Sequence, residues 1–275
     1  MNHKGLFKTV TAFSIKLAVG MGVFISASLF AQQAGRGGAP QGLTPQQVAP
    51  IDITGYWESR IVDEWRFRVT PQKGDIAWMQ MNPDARKIAM AWDPAKDEAE
   101  GKVCKAYGAV GVTQRPGLMH VTWADGNTLK MDFDTGTQTR LLHFAKAPGD
   151  KGPATWQGYS AALWDTPGNV LIFTGDRYVA ALVRGKAAAA PKTGTLRVTT
   201  TNMLPGYVRK NGVPYSDKAV LTEYVNRLED NGNVYLILTQ MVDDPTYLPQ
   251  PYIRTYTWKQ VADNKGWDPT PCLAR

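Results

Sequence analysis

Histidine and cysteine are scarce in this 275-residue chain, at three and two residues. Signature motifs are missing too. There is no HExxH helix, GxSxG elbow, P-loop, paired CxxC or EF-hand loop. Their absence argues against several zinc-protease, hydrolase and kinase chemistries, and no metal or cofactor is expected. It leaves room for an enzyme on an unclassified scaffold. The formal charge is +7, but no Lys/Arg cluster follows the N-terminal segment. A nucleic-acid site needs a concentrated basic face, so none is expected. No internal repeat stands out.

What is present begins with an export signal. Lys4 and Lys8 precede a largely apolar run from Thr9 to Phe30, and Leu29-Phe30-Ala31 offers a small residue before the expected cut. Lys16 interrupts the run, which argues against a retained membrane span. Residues 1–31 are therefore expected to be a signal peptide, and the mature protein periplasmic or secreted. Loss of Lys4, Lys8 and Lys16 would lower the charge from +7 by three, to +4. Residues 32–51, rich in Gly, Pro and Gln, are expected to form a flexible leader. In an oxidising compartment the two cysteines, Cys104 and Cys272, are expected to form one disulfide.

Residues 52–275 are expected to form a single all-β domain. Trp65, Phe67 and Val69 alternate with Arg66 and Arg68, so Tyr56 to Val69 is expected to form one or two strands. Asn82 and Pro83 are placed to start a helix with Ile88, Ala89 and Trp92 on one face, and Pro94 to end it. Leu118 to Trp123, Thr128 to Asp134 and Thr137 to Ala145 have the alternation and short turns of an antiparallel meander. Further strands are expected at Trp156–Trp164, Leu196–Met203, Val220–Leu228, Val234–Val242 and Tyr252–Gln260. Residues 168–192 are expected to be an insertion, and Leu204 to Ser216 a long irregular loop. The total is about eight to ten strands, the spacing of a sandwich or barrel.

The run Ile53-Thr54-Gly55-Tyr56-Trp57-Glu58-Ser59 heads the first strand. Gly55-Tyr56-Trp57 resembles the opening of lipocalins and related calycin barrels. The resemblance implies an antiparallel up-and-down β-barrel, with Trp57 plugging its closed end. Two further phrases, Trp156-Gln157-Gly158-Tyr159-Ser160 and Pro205-Gly206-Tyr207 with Lys210-Asn211-Gly212-Val213-Pro214-Tyr215-Ser216, look like those of uncharacterised exported bacterial proteins. They imply a shared fold and bring no activity.

Several residues are candidates for a site. His120 and His143 lie on strands of one meander and could face one lumen as acid and base. Strand parity allows only one of Arg140 and His143 to point inward. Glu223 and Arg227 share a face and could pair with one another, or Arg227 could stack on Trp57. Tyr252, Arg254, Tyr256 and Trp258 share one face of the last strand, as a pocket wall would. The segment Tyr207–Tyr215 carries Arg209 and two phenols, and reads either as a clamp on an acidic group or as a solvated loop.

The first expectation is a barrel that binds a small hydrophobic or aromatic ligand, its pocket lined by some of Trp65, Trp123, Tyr159, Tyr224 and Tyr256. Arg140 or Arg209 would anchor an acidic group. A second is a lyase, isomerase or hydrolase on the same scaffold. There His143 or His120 would be the base, Tyr215 or Glu223 the proton donor, and Arg209 the oxyanion holder. A third is an envelope interaction protein. Nothing in the sequence fixes the oligomeric state.

Overall fold

The computed structural model describes residues 42–69, 71–145, 151–166 and 193–274, with the backbone of 171–173, 178–180, 182–183 and 186–187. The expected signal peptide and most of the insertion at 168–192 lie outside them. Nine strands close into a barrel. They are β1 (Gly55–Arg60), β2 (Leu118–Asp125), β3 (Thr128–Phe133), β4 (Gln138–His143), β5 (Tyr159–Asp165), β6 (Thr195–Thr201), β7 (Val220–Asp230), β8 (Asn233–Asp243) and β9 (Tyr252–Val261). Each barrel strand pairs with the next, and β9 returns to β1. An odd ring cannot alternate direction all the way round. The one parallel pair falls between β4 and β5, where Leu142 faces Ser160 and His143 faces Ala161.

Period-two alternation sets the wall. On β3, Leu129, Met131 and Phe133 are buried while Thr128, Lys130 and Asp132 stand outside. The inward side chains around Trp57 fill one half of the interior with Val121, Leu142, Phe144, Trp164, Leu196 and Leu236. Trp57 is fully buried and its indole N–H donates to the Ile53 carbonyl at 3.0 Å. Residues ahead of β1 lie against this end, with Val48 buried.

A cap covers further apolar surface. It contains α1 (Trp65–Val69), α2 (Pro83–Ala91), α3 (Pro94–Ala99) and a small hairpin pairing Gly206–Arg209 with Val213–Tyr215. Asn82 caps α2 by accepting from the Ala85 N–H at 2.9 Å, with Pro83 at the first turn. Ala85 and Ala89 face a second core with Ile76, Met79, Val208, Val213 and Leu221. Gly212, at φ +84°, packs so close to Trp92 that no Cβ would fit.

Two expectations are corrected here. Trp65–Val69 is a helix, not a strand. Its alternation reflects two demands: Arg68 is drawn inward over the Tyr256 ring at 5.0 Å, and Phe67 lies beneath Arg209 at 4.1 Å. Leu204–Ser216 is no irregular loop, because it contains the hairpin, with Val208, Val213 and Tyr215 buried. Cys104 and Cys272 form a disulfide with Cα atoms 5.2 Å apart, which fits an oxidising compartment. It ties the C-terminal tail to the turn Val103–Tyr107.

Candidate functional site

The half of the interior away from Trp57 is polar. β4 turns Arg140 inward and β7 turns Glu223 inward, each about 1% exposed. Arg140 donates to both Glu223 carboxylate oxygens, at 3.0 and 2.5 Å, and to the Thr200 hydroxyl at 3.3 Å. The Ser160 and Thr200 hydroxyls lie 2.8 Å apart. This bidentate geometry compensates much of the desolvation of two buried charges. Gln240 of β8, opposite Glu223, donates to the Thr113 hydroxyl at 3.4 Å.

The cap adds more guanidinium. Arg68 of α1 donates to the Gln114 carbonyl at 3.2 Å and the Arg60 carbonyl at 3.4 Å. Its nearest carboxylate is that of half-exposed Asp63, 3.7 Å away. Arg115 follows the 3-10 turn Val112–Gln114 and is 3% exposed. Among the described residues its side chain makes one hydrogen bond, a long one of 3.5 Å to the Gln114 side-chain oxygen. Among the described residues no carboxylate lies within 4.0 Å of it. Arg209 donates to Glu64 at 3.1 Å, and Glu64 also pairs with Arg254 at 2.9 Å. Arg209 and Arg254 both lie over the Tyr252 ring, at 5.7 and 4.7 Å.

Five guanidiniums thus converge with three carboxylates, Asp63, Glu64 and Glu223. The imbalance leaves donors idle. Among the described residues, Arg68 Nη2, Arg115 Nε, Arg140 Nε and Arg209 Nε and Nη1 make no hydrogen bond, nor do Gln240 Oε1 and the Tyr256 hydroxyl. Buried polar groups normally find partners, so a concentration of idle ones marks a place where another molecule or water completes the bonding. Burial lowers the pKa of Arg68, and lowers that of Arg115 to about 10. Burial also raises the Tyr256 phenol well above its usual value. At neutral pH the arginines remain cationic and the phenol neutral. The site is therefore a buried, electropositive cluster with aromatic faces at Tyr252, Tyr256 and Phe67.

The expected site residues divide by face. Arg140, Glu223 and Tyr256 are inside the barrel, and Arg209 is buried on the hairpin, paired with Glu64 and lying over Phe67 and Tyr252. Glu223 pairs with Arg140, not with Arg227; Arg227 pairs with Glu229 instead. Trp123 packs on Phe144 in the apolar core, at 5.5 Å. Trp65 stands on α1, 65% exposed and outside the barrel. Tyr224 alternates with inward Glu223 and Val225, so it stands on the outer face. His120 and His143 also face outward, so the two imidazoles share no lumen. His143 stacks on outward Tyr159 at 4.9 Å, and His120 stacks on Tyr56 at 4.0 Å. Partial burial lowers the His143 pKa, opposed by Asp125, and raises that of Tyr159. Tyr215 is buried in the second core, and burial raises its phenol. The proposed acid–base set is not brought together.

Arg68 and Arg115 were not expected in the site. Arg68 lies in a segment with the alternation of a strand, and Arg115 lies between the expected helix and the first strand of the meander. The one available signal was a run of arginines next to aromatics, Trp65-Arg66-Phe67-Arg68. The comparisons add no identity: the chain matches no family model, no curated protein and no solved structure.

Proposed function

We propose that the protein is an exported, lipocalin-like barrel that binds a small organic acid carrying an aromatic or apolar body. Arg68 and Arg115 hold the anionic group, Arg209 flanks it, and Tyr252, Tyr256 and Phe67 receive the body. One observation carries this reading: buried guanidinium in excess of buried carboxylate, with N–H groups left unmet by the protein. A buried cation without a partner is strongly disfavoured, and an anion from solution removes that penalty. Ligand pockets of this kind join apolar walls to a few convergent polar groups. The apolar N-terminal run and the disulfide support export.

The test compares matched ligands that differ in charge. Indole-3-acetate and its neutral amide present the same ring. The acid is expected to raise the melting temperature of the mature protein in a saturable way, and the amide to leave it unchanged. Arg115→Met is expected to abolish the shift. Equal shifts by acid and amide, or a full shift in Arg115→Met, would refute the anion site.

A further inference from the structure

A second site lies on the outer wall, on the opposite face of the strands from Arg140 and Glu223. Strand register places Tyr56, His120, Asp132 and Thr139 in one row across β1, β2, β3 and β4. All four alternate with inward residues, so all four stand outside. The Tyr56 and His120 rings are parallel, at 3° with centroids 4.0 Å apart. Trp267 of the C-terminal tail meets both edge-on, at 6.1 and 6.5 Å. Between tail and wall is a cavity of about 330 Å³, lined also by Gln138 and Asn264. That volume is at the small end of ligand pockets.

The groove is held open by its own frame. The Thr270 N–H donates to the Asp134 carbonyl at 3.0 Å, and the Thr137 hydroxyl donates to the Thr270 carbonyl at 2.9 Å. The disulfide at Cys272 fixes the tail just beyond. Trp267 is thus positioned before any ligand arrives, which lowers the ordering cost of binding.

We propose that this groove binds a saccharide, one hexopyranose unit at a time. A pyranose has an apolar C–H face and a rim of hydroxyls, and the groove offers the complement of each. The rings of Trp267, Tyr56 and His120 supply apolar surface with polar edges. Asp132 supplies the acceptor. Its carboxylate takes a hydrogen bond from Thr139 at 2.6 Å and pairs with Lys130 at 2.9 Å. An ionised carboxylate has about four lone-pair sites, so acceptor capacity remains for sugar hydroxyls. The His120 imidazole and the Asn264 amide make no side-chain hydrogen bond among the described residues, and each offers a donor and an acceptor. The groove has no excess of cations, so its ligand is of a different class from the one proposed for the interior.

The experiment follows the Trp267 indole N–H by NMR while glucose, galactose and N-acetylglucosamine, each as monomer and short oligomer, are titrated into the mature protein. At least one sugar is expected to shift that signal saturably. Asp132→Asn is expected to weaken it about tenfold, the loss of one charge-assisted hydrogen bond. Trp267→Ala is expected to abolish binding measured by calorimetry, and Arg115→Met to leave it intact. The melting temperature of each variant reports whether it is folded. If no sugar moves the indole, the proposal is overturned and the Tyr56–His120–Trp267 cluster serves only to dock the tail. Undiminished binding in folded Asp132→Asn, or a response to indole-3-acetate alone, overturns it as well.

Discussion

Arg115 and Arg140 carry the same charge in the same polar interior, yet their removal is expected to shift stability in opposite directions. Arg140 is one half of a bidentate pair at about 1% exposure. Arg140→Met leaves the Glu223 carboxylate buried without its cation. Breaking a buried pair this way costs about 3–5 kcal/mol, a fall of roughly 6–20 °C in Tm for a domain of this size. Among the described residues Arg115 has no such partner. Burial lowers its pKa from the ordinary arginine value to about 10. The folded state therefore holds that proton less tightly than the unfolded state. Between those values the unfolded chain binds more protons, so stability rises with pH there, and below them the charge is a standing cost of roughly 3 kcal/mol. Arg115→Met removes the charge and keeps most of the volume, so it is expected to be neutral or to stabilise by about 1–4 kcal/mol. Urea unfolding of both single variants and of Arg140→Met/Glu223→Leu supplies the comparison. The double variant is expected to recover most of the loss. If Arg115→Met destabilises as much as Arg140→Met, Arg115 is a paired structural residue and the charge excess is not real.

Three further outcomes are expected. Trp57→Ala empties the fully buried end of the apolar core and is expected to cost about 3–5 kcal/mol by denaturant unfolding. Cys104→Ser/Cys272→Ser opens a loop spanning 168 residues. In the chain-entropy model that costs up to about 5 kcal/mol, and hydrogen exchange should show the tail around Trp267 released. His143 has a folded pKa lowered below 6.5, chiefly by burial, with Asp125 opposing. Its neutral form suits the fold, so stability is lost as pH falls from 6.5 through the folded value. His143→Phe should flatten that part of the stability–pH curve.

The barrel was legible because its strands obey simple alternation. Leu129, Met131 and Phe133 against Lys130 and Asp132 leave one reading of β3, and the turns Asp125-Gly126-Asn127 and Thr135-Gly136 set its ends. Asn82-Pro83 likewise marked the start of α2. Trp65–Val69 misled because five residues cannot distinguish a strand from a single helical turn whose side chains are claimed by Tyr256 and Arg209. The site was half legible. Parity allowed only one of Arg140 and His143 inside, but the choice belonged to Glu223, 83 residues away. Arg68 came from a segment with the alternation of a strand and Arg115 from a stretch without a periodic pattern, so neither hinted that it ends buried beside Tyr256. The aromatic groove was hidden for the same reason: Trp267 reaches Tyr56 and His120 only because the tail folds back.

The change of direction between β4 and β5 has a mechanical consequence. Among the described residues this seam is stitched only where Leu142 meets Ser160 and His143 meets Ala161, so it is the stretch of wall with the fewest rungs. Under load or heat the cylinder should unzip here first, with amides along this slit the earliest to exchange. Immediately behind it stand Arg140, Ser160 and Thr200, so the weakest line in the wall is also the shortest side door to the buried ion pair.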